Sequence, residues 1–166
     1  MSAFAEILET IAHAPIQKRA VTNHGVLNEA YCYAKPSSFS RAMRIDIGGV
    51  TILLISGTAS IDENGTSVHI GDFRAQMRRT LANITGLLSA EGCTWHDIVR
   101  TTCYLRDIER DYEAFNEERT AFYKEQGLDP LPASTGIQAI LCRPELLVEI
   151  EAIAMFRTDK AANAKE

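Results

Sequence analysis

The chain lacks the features that would commit it to a membrane, a metal or a nucleic acid. No apolar run approaches the roughly 20 residues that span a bilayer. Its early charges are acidic (Glu6, Glu9) and its bases come late (Lys18, Arg19). A secretory leader has the reverse order, so no export signal is expected. The four cysteines, Cys32, Cys93, Cys103 and Cys142, form no Cys-x-x-Cys pair. At this length disulfide staples are unnecessary, and reduced thiols in a cytoplasmic setting are expected. The four histidines are scattered without His-x-His or His-x-x-x-His spacing, which argues against a zinc site. No cofactor is expected. The net charge is −5, and the densest basic cluster is only Arg74, Arg78 and Arg79 on a predicted helix, read as a solvated face. Nucleic acid needs a concentrated basic surface, so no nucleic-acid partner is expected. There is no Gly-x-Ser-x-Gly elbow, internal repeat or low-complexity linker.

What the chain does have is the material of one globular domain: 166 residues, 46% apolar and 23% charged. Residues Ser2 to His13 carry Phe4, Ile7, Leu8 and Ile11 at helical spacing, with Pro15 ending that helix. From Val21 to Tyr33 the pattern is looser, with room for a short strand. Arg44–Ile47, then Gly48-Gly49, then Val50–Ser56 predict a hairpin. Asp62-Glu63-Asn64-Gly65 reads as a turn. Asp72 to Glu91 is amphipathic, with Phe73, Met77, Leu81, Ile84 and Leu88 on one stripe and Gly92 as its stop. His96–Leu105 predicts a strand, and Asp107 opens a second helix running over 108–126. Ser134–Leu141 and Leu146–Phe156 are two final strands joined by a turn at Arg143-Pro144. The order predicts an α+β fold: a mixed sheet with two helices on one face and its other face left for a second subunit. Trp95, after the Gly92 stop, is most simply a packing residue.

The richest stretch is the last one. Leu146-Leu147-Val148-Glu149-Ile150-Glu151 sets two carboxylates two residues apart in an apolar run. Strand side chains alternate, so Glu149 and Glu151 share one face while Val148 and Ile150 share the other. Leaving a carboxylate unpaired in an apolar setting costs several kcal/mol, so such a group has a partner, water or a task. Glu149 is the first candidate for chemistry, and Glu151, nearer the strand's outer end, reads as structural.

Several blocks together resemble the RidA/YjgF family of small trimeric enamine and imine deaminases. They are Phe39-Ser40-Arg41-Ala42, the Gly48-Gly49 hairpin, Ser56-Gly57-Thr58-Ala59-Ser60-Ile61, Asp97 to Thr102, Leu105-Arg106-Asp107, Phe115-Asn116, Pro132-Ala133 and Val148 to Ala154. The resemblance runs from about Ser37 to Arg157. It implies a RidA-like domain over 36–157, which leaves an N-terminal extension over 1–35, read from its own pattern as a helix and a strand, and a polar, Ala/Lys-rich tail over 158–166, read as flexible. It also implies a homotrimer with a barrel core and interface clefts, where a small anionic imine or enamine meets water and ammonia leaves. Glu149 matches the glutamate that positions or activates that water, and Asn116, Ser56 and Gly57 match positions near the cleft. RNA cleavage has been attached to some members of the family, but the acidic balance here argues against it.

One departure stands out. Family deaminases carry Arg directly after Pro-Ala, gripping the substrate carboxylate with a two-pronged hydrogen bond. Here that residue is Ser134, which has neither the charge nor the fork. Arg143 is either a turn arginine facing Glu145 or solvent, or the replacement for that missing cation. Ser134 and Thr135 are candidates to hydrogen-bond a ligand, and Cys142 to line the cleft. Arg119, on the aromatic stripe of the second helix, is a candidate to send its head to the cleft over a core-facing stem. Ser56 to Ile61, Pro132 to Thr135 and the Cys142-Arg143 to Glu151 run are also similar to the C-terminal half of chorismatases, which makes enol-ether cleavage the alternative chemistry. A non-catalytic trimeric metabolite binder is the other.

Overall fold

The computed structural model describes residues 15–159. The helix expected over Ser2 to His13 and most of the C-terminal tail lie outside these residues. The strands are β1 (Gln17–Val21), β2 (Ala42–Ile47), β3 (Val50–Ala59), β4 (Ile98–Leu105), β5 (Ala133–Gln138) and β6 (Val148–Arg157), and the helices are α1 (Phe73–Ser89) and α2 (Ile108–Glu125). They form one six-stranded sheet in the order β1-β2-β3-β6-β4-β5. All neighbours are antiparallel except β4 and β5, which run parallel. Both helices pack on one face, as the sequence predicts. Among the described residues no helix is long and apolar enough to cross a membrane.

Local chemistry explains the boundaries. Gly48 and Gly49 take φ of 56° and 79°, the left-handed turn between β2 and β3. Asp72 and Asp107 cap α1 and α2, accepting from the amides of Ala75 and Arg110. Gly92, at φ 67°, stops the chain after α1. The Asp62 turn closes as expected, with its carboxylate accepting from the Asn64 and Thr66 amides.

Three placements differ from the sequence reading. The strand sought between Val21 and Tyr33 ends at Val21, because Asn23 turns the chain: its carbonyl accepts from Val26 and Leu27, and its side chain donates to the Gly86 carbonyl. The two last strands are not neighbours; β5 lies at the sheet edge beside β4, while β6 sits between β3 and β4. The basic cluster on α1 is not merely solvated. Arg74 and Arg78 bridge to Glu117 and Glu118 of α2, and Arg79 donates to the Ile61 carbonyl at 3.0 Å.

The core lies between sheet and helices. Val148, Ile150, Ala152, Ala154 and Phe156 of β6 face it, together with Leu53 and Ile55 of β3 and Met77, Leu81, Ile84 and Leu88 of α1. Trp95 is buried there, donating to Thr85 at 2.8 Å and meeting Phe122 edge-on at 5.0 Å. The opposite sheet face is partly apolar and open, with Leu54 41% and Met155 44% exposed.

Candidate functional site

β6 alternates as its sequence demands, so Glu149 and Glu151 emerge on the open face. The neighbouring strand is broken at the same height. Between Ile55 and Thr58 the β3–β6 register shifts, so Ser56 and Gly57 together oppose Glu151. This bulge re-aims the chain. It is pinned by the Ser56 amide donating to the Arg41 carbonyl at 3.0 Å, and by the Ser56 hydroxyl donating to the Ser40 carbonyl at 2.8 Å.

Gly57 gives the carboxylate its seat. A Cβ at position 57 would stand 2.0 Å from Glu149 Oε1, so only glycine admits this rotamer. Glu149 is half-buried, and no hydrogen bond or ion pair among the described residues reaches its carboxylate. Burial, and then the nearby Glu151 charge, raise its pKa above the ordinary carboxylate value. Tyr104 of β4 stands opposite Glu149 in the register. Its own pKa is raised, first by burial and then by Glu151.

Glu149 lines an open cleft of about 480 Å³ together with Phe39, Arg41, Ser56, Cys142 and Arg143. The turn bearing Cys142 and Arg143 is firmly latched. Gln76, wholly buried on α1, donates to the Glu145 carbonyl at 2.9 Å and accepts from the Leu147 amide at 2.8 Å. Arg106 donates to the carbonyls of Leu146 (2.6 Å) and Arg143 (2.5 Å). Arg143 is half-buried, and its charge adds to the Ser67 hydrogen bond that lowers the Glu145 pKa. Its Nη1 donates to the Gly65 carbonyl at 2.5 Å and the Ser67 hydroxyl at 3.2 Å. Cys142 is exposed at the cleft wall.

The remaining candidates do not join Glu149 within one chain. Ser134 pairs in register with Thr101, which is buried on the helix side. It accepts hydrogen bonds from Thr101 and Arg119 there, at 3.0 Å and 3.2 Å. Arg119 donates to Asn116 at 2.6 Å and stacks 4.5 Å from the Phe115 ring centroid. Arg119 and Ser134 line a separate cleft of about 430 Å³ with Tyr123 and Leu131. Thr135, one residue along the strand, points the other way and accepts from Arg100 at 3.1 Å. The cause is the parallel β4–β5 pairing, which sends Ser134 to the helix side. Among the described residues no group of three or more His, Cys, Asp or Glu is placed to hold a metal ion.

Sequence reading passed over Tyr104 and gave Arg41 no role. Tyr104 was recoverable in principle from β4's alternation. Arg41 had no periodic pattern around it to mark it.

The Endoribonuclease L-PSP family model matches residues 34–156. The 3-aminoacrylate deaminase RutC of Acinetobacter baylyi is 35% identical over 103 residues, which is 62% of this chain and 78% of that protein. A RutC family protein of Pyrococcus horikoshii is 32% identical over 102 residues, covering 61% and 77%. Among solved structures, the YjgF gene product of E. coli superposes with a TM-score of 0.66 at 25% identity, covering 84% of this chain and 99% of that one. A conserved Rid-family protein of unknown function from Yersinia pestis does so with a TM-score of 0.68 at 27% identity, covering 83% and 98%. Sheet order, helix placement and the matched span agree, and this chain belongs to the Endoribonuclease L-PSP family, the RidA/YjgF family its sequence resembles.

Proposed function

We propose that this protein hydrolyses a small imine or enamine, releasing ammonia, with Glu149 as the proton-transferring group. The observation that carries this reading is the unpaired, half-buried Glu149 carboxyl seated on Gly57, with its pKa raised. A carboxyl tuned upward is better suited to give a proton and take it back than an ordinary one. Protonated Glu149 delivers its proton to the enamine carbon and leaves an iminium. The carboxylate then takes a proton from water as the hydroxyl adds to the iminium carbon. Glu149 returns that proton to nitrogen, the C–N bond breaks, and the hydroxyl proton passes to Glu149 as the carbonyl forms. Ammonia leaves and Glu149 ends protonated, as it began. The relative named as a 3-aminoacrylate deaminase supports this class of substrate.

A homotrimer is part of the same proposal. The open sheet face, with exposed Leu54 and Met155, is the surface that packing between protomers would cover. Such packing would also give the Arg119–Ser134 cleft of one protomer a route to the Glu149 cleft of another.

The test is ammonia release from 3-aminoacrylate by purified protein. Glu149→Gln is expected to lower turnover by about 10²- to 10⁴-fold, with the assembly's sedimentation unchanged. Full activity in that variant removes the mechanism. Ser134 in the place of an arginine favours a second reading, a non-catalytic metabolite binder. Stabilisation by small carboxylates without any ammonia release would select it.

A further inference from the structure

Glu151, and Glu149 whenever it has given up its proton, make this cleft hostile to an anion, so a carboxylate-bearing ligand needs a cation with a donor to spare. Two arginines line the cleft, Arg41 and Arg143. Arg143 gives Nη1 to the Gly65 carbonyl and the Ser67 hydroxyl, and none of its nitrogens is both buried and unpartnered. Arg41 is different. It is only 3% exposed, and its Nη2 is buried without a hydrogen-bond partner. Its Nε donates to the Asn28 carbonyl at 3.1 Å, which fixes the plane of the guanidinium. Its Cζ lies 4.9 Å from the Tyr33 ring centroid and 5.1 Å from that of Phe39.

A buried guanidinium with an unmet N–H is costly, because the charge has lost water and gained too little in return. Two aromatic rings offset part of that cost and hold the head against rotation. The backbone ties it to the reacting end as well, since the Arg41 carbonyl accepts from Ser56 at the bulge beneath Glu149. Phe39, 41% exposed against 9% for Tyr33, is the outer ring, and it lines the cleft together with Arg41.

We propose that Arg41, clamped between Tyr33 and Phe39, is the anion anchor of the Glu149 cleft, and that the site takes a planar carboxylate. This deepens the deaminase reading and rests on it for the identity of the cleft. It assigns to Arg41 the charge that Ser134 cannot supply.

The experiment compares binding of 2-oxobutyrate with its neutral isostere 2-oxobutanamide, by calorimetry on the full chain. Wild type is expected to prefer the carboxylate by about tenfold or more. Arg41→Gln is expected to abolish that preference by weakening the carboxylate alone, and Arg41→Lys to lose about tenfold of it because the fork is gone. Phe39→Leu, at an exposed position, guards against misfolding of the Arg41 variants. It is expected to weaken carboxylate binding by about threefold while sparing the amide. Equal binding of both probes, or no binding of either at about 10 mM, overturns the proposal. So does a preference kept in Arg41→Gln or lost in Arg143→Gln. The readout needs no turnover. An Arg41-dependent preference without ammonia release sustains the anchor and removes the reaction. Ammonia release with no Arg41 dependence does the opposite.

Discussion

Glu149 Oε1 occupies the space where a side chain at Gly57 would begin, 2.0 Å from an ideal Cβ. Gly57 sits in the β3 bulge without a positive φ, so alanine meets no backbone strain there. The atom it displaces is the far end of a flexible side chain. Gly57→Ala should therefore fold with a Tm within a few degrees of wild type, yet push the carboxylate from its seat. A displacement of about 1 Å can cost on the order of 10²-fold in rate, so ammonia release should fall by about that factor. Unchanged kcat/KM would show that the seat does not matter.

The raised pKa of Glu149 has a consequence for stability that is separate from catalysis. Burial favours the protonated form in the folded state, so the folded protein holds this proton to a higher pH than the unfolded chain does. The stability tied to that proton is fully present below the unfolded pKa and lost as pH rises through the folded one. Glutamine keeps the neutral shape at every pH. Glu149→Gln should therefore melt higher than wild type at pH 8, and the gap should close as pH falls toward 4. A gap that is flat in pH, or opens toward acid, would contradict this.

How much of this was readable beforehand depends on the length scale of each signal. Glu149 and its facing direction follow from two-residue alternation, a local rule that β6 obeys along its length. The Gly48-Gly49 turn is equally local, since both residues adopt positive φ. Ser134 illustrates the opposite case. Its position on the helix side depends on a parallel pairing with β4, and α2 separates the two in sequence. No window around Ser134 contains that information. Arg41 is harder still, because its rings come from an irregular segment with neither period, Tyr33 after a short 3-10 turn and Phe39 in a loop. The masking of charge is also invisible in a string. Arg74 and Arg78 read as a solvated basic face until Glu117 and Glu118 of α2 arrive beside them.

Glu91, just past α1, ties the sheet edge to the helix layer. It is buried and receives both Nη atoms of Arg19 from β1 and Nη1 of Arg44 from β2. Arg44 is itself buried, with Asp46 as its other carboxylate. Removing one member of a buried pair strands the other charge, at a cost of about 3 kcal/mol or more. Glu91→Ala should lose about that much in urea unfolding while Arg19→Ala loses under about 1 kcal/mol, because Arg19 is largely exposed. Equal losses would mean that the buried Arg44 contact is not the dominant one.

The four thiols give a probe of cleft occupancy. Cys93 and Cys103 are buried, and burial raises the Cys103 pKa, so neither should react readily in the native state. Cys32 and Cys142 are exposed, but only Cys142 shares the cleft with Glu149 and Arg41. Native protein treated with iodoacetamide should therefore label at these two positions. Saturating 2-oxobutyrate should slow alkylation of Cys142 several-fold and leave Cys32 unaffected, as read by peptide mass spectrometry. A ligand within the cleft excludes reagent from its wall, whereas a ligand bound elsewhere leaves both rates alike. Protection of both cysteines together would indicate a general tightening of the fold. Protection of neither, at concentrations where calorimetry shows binding, would move the ligand out of the Glu149 cleft.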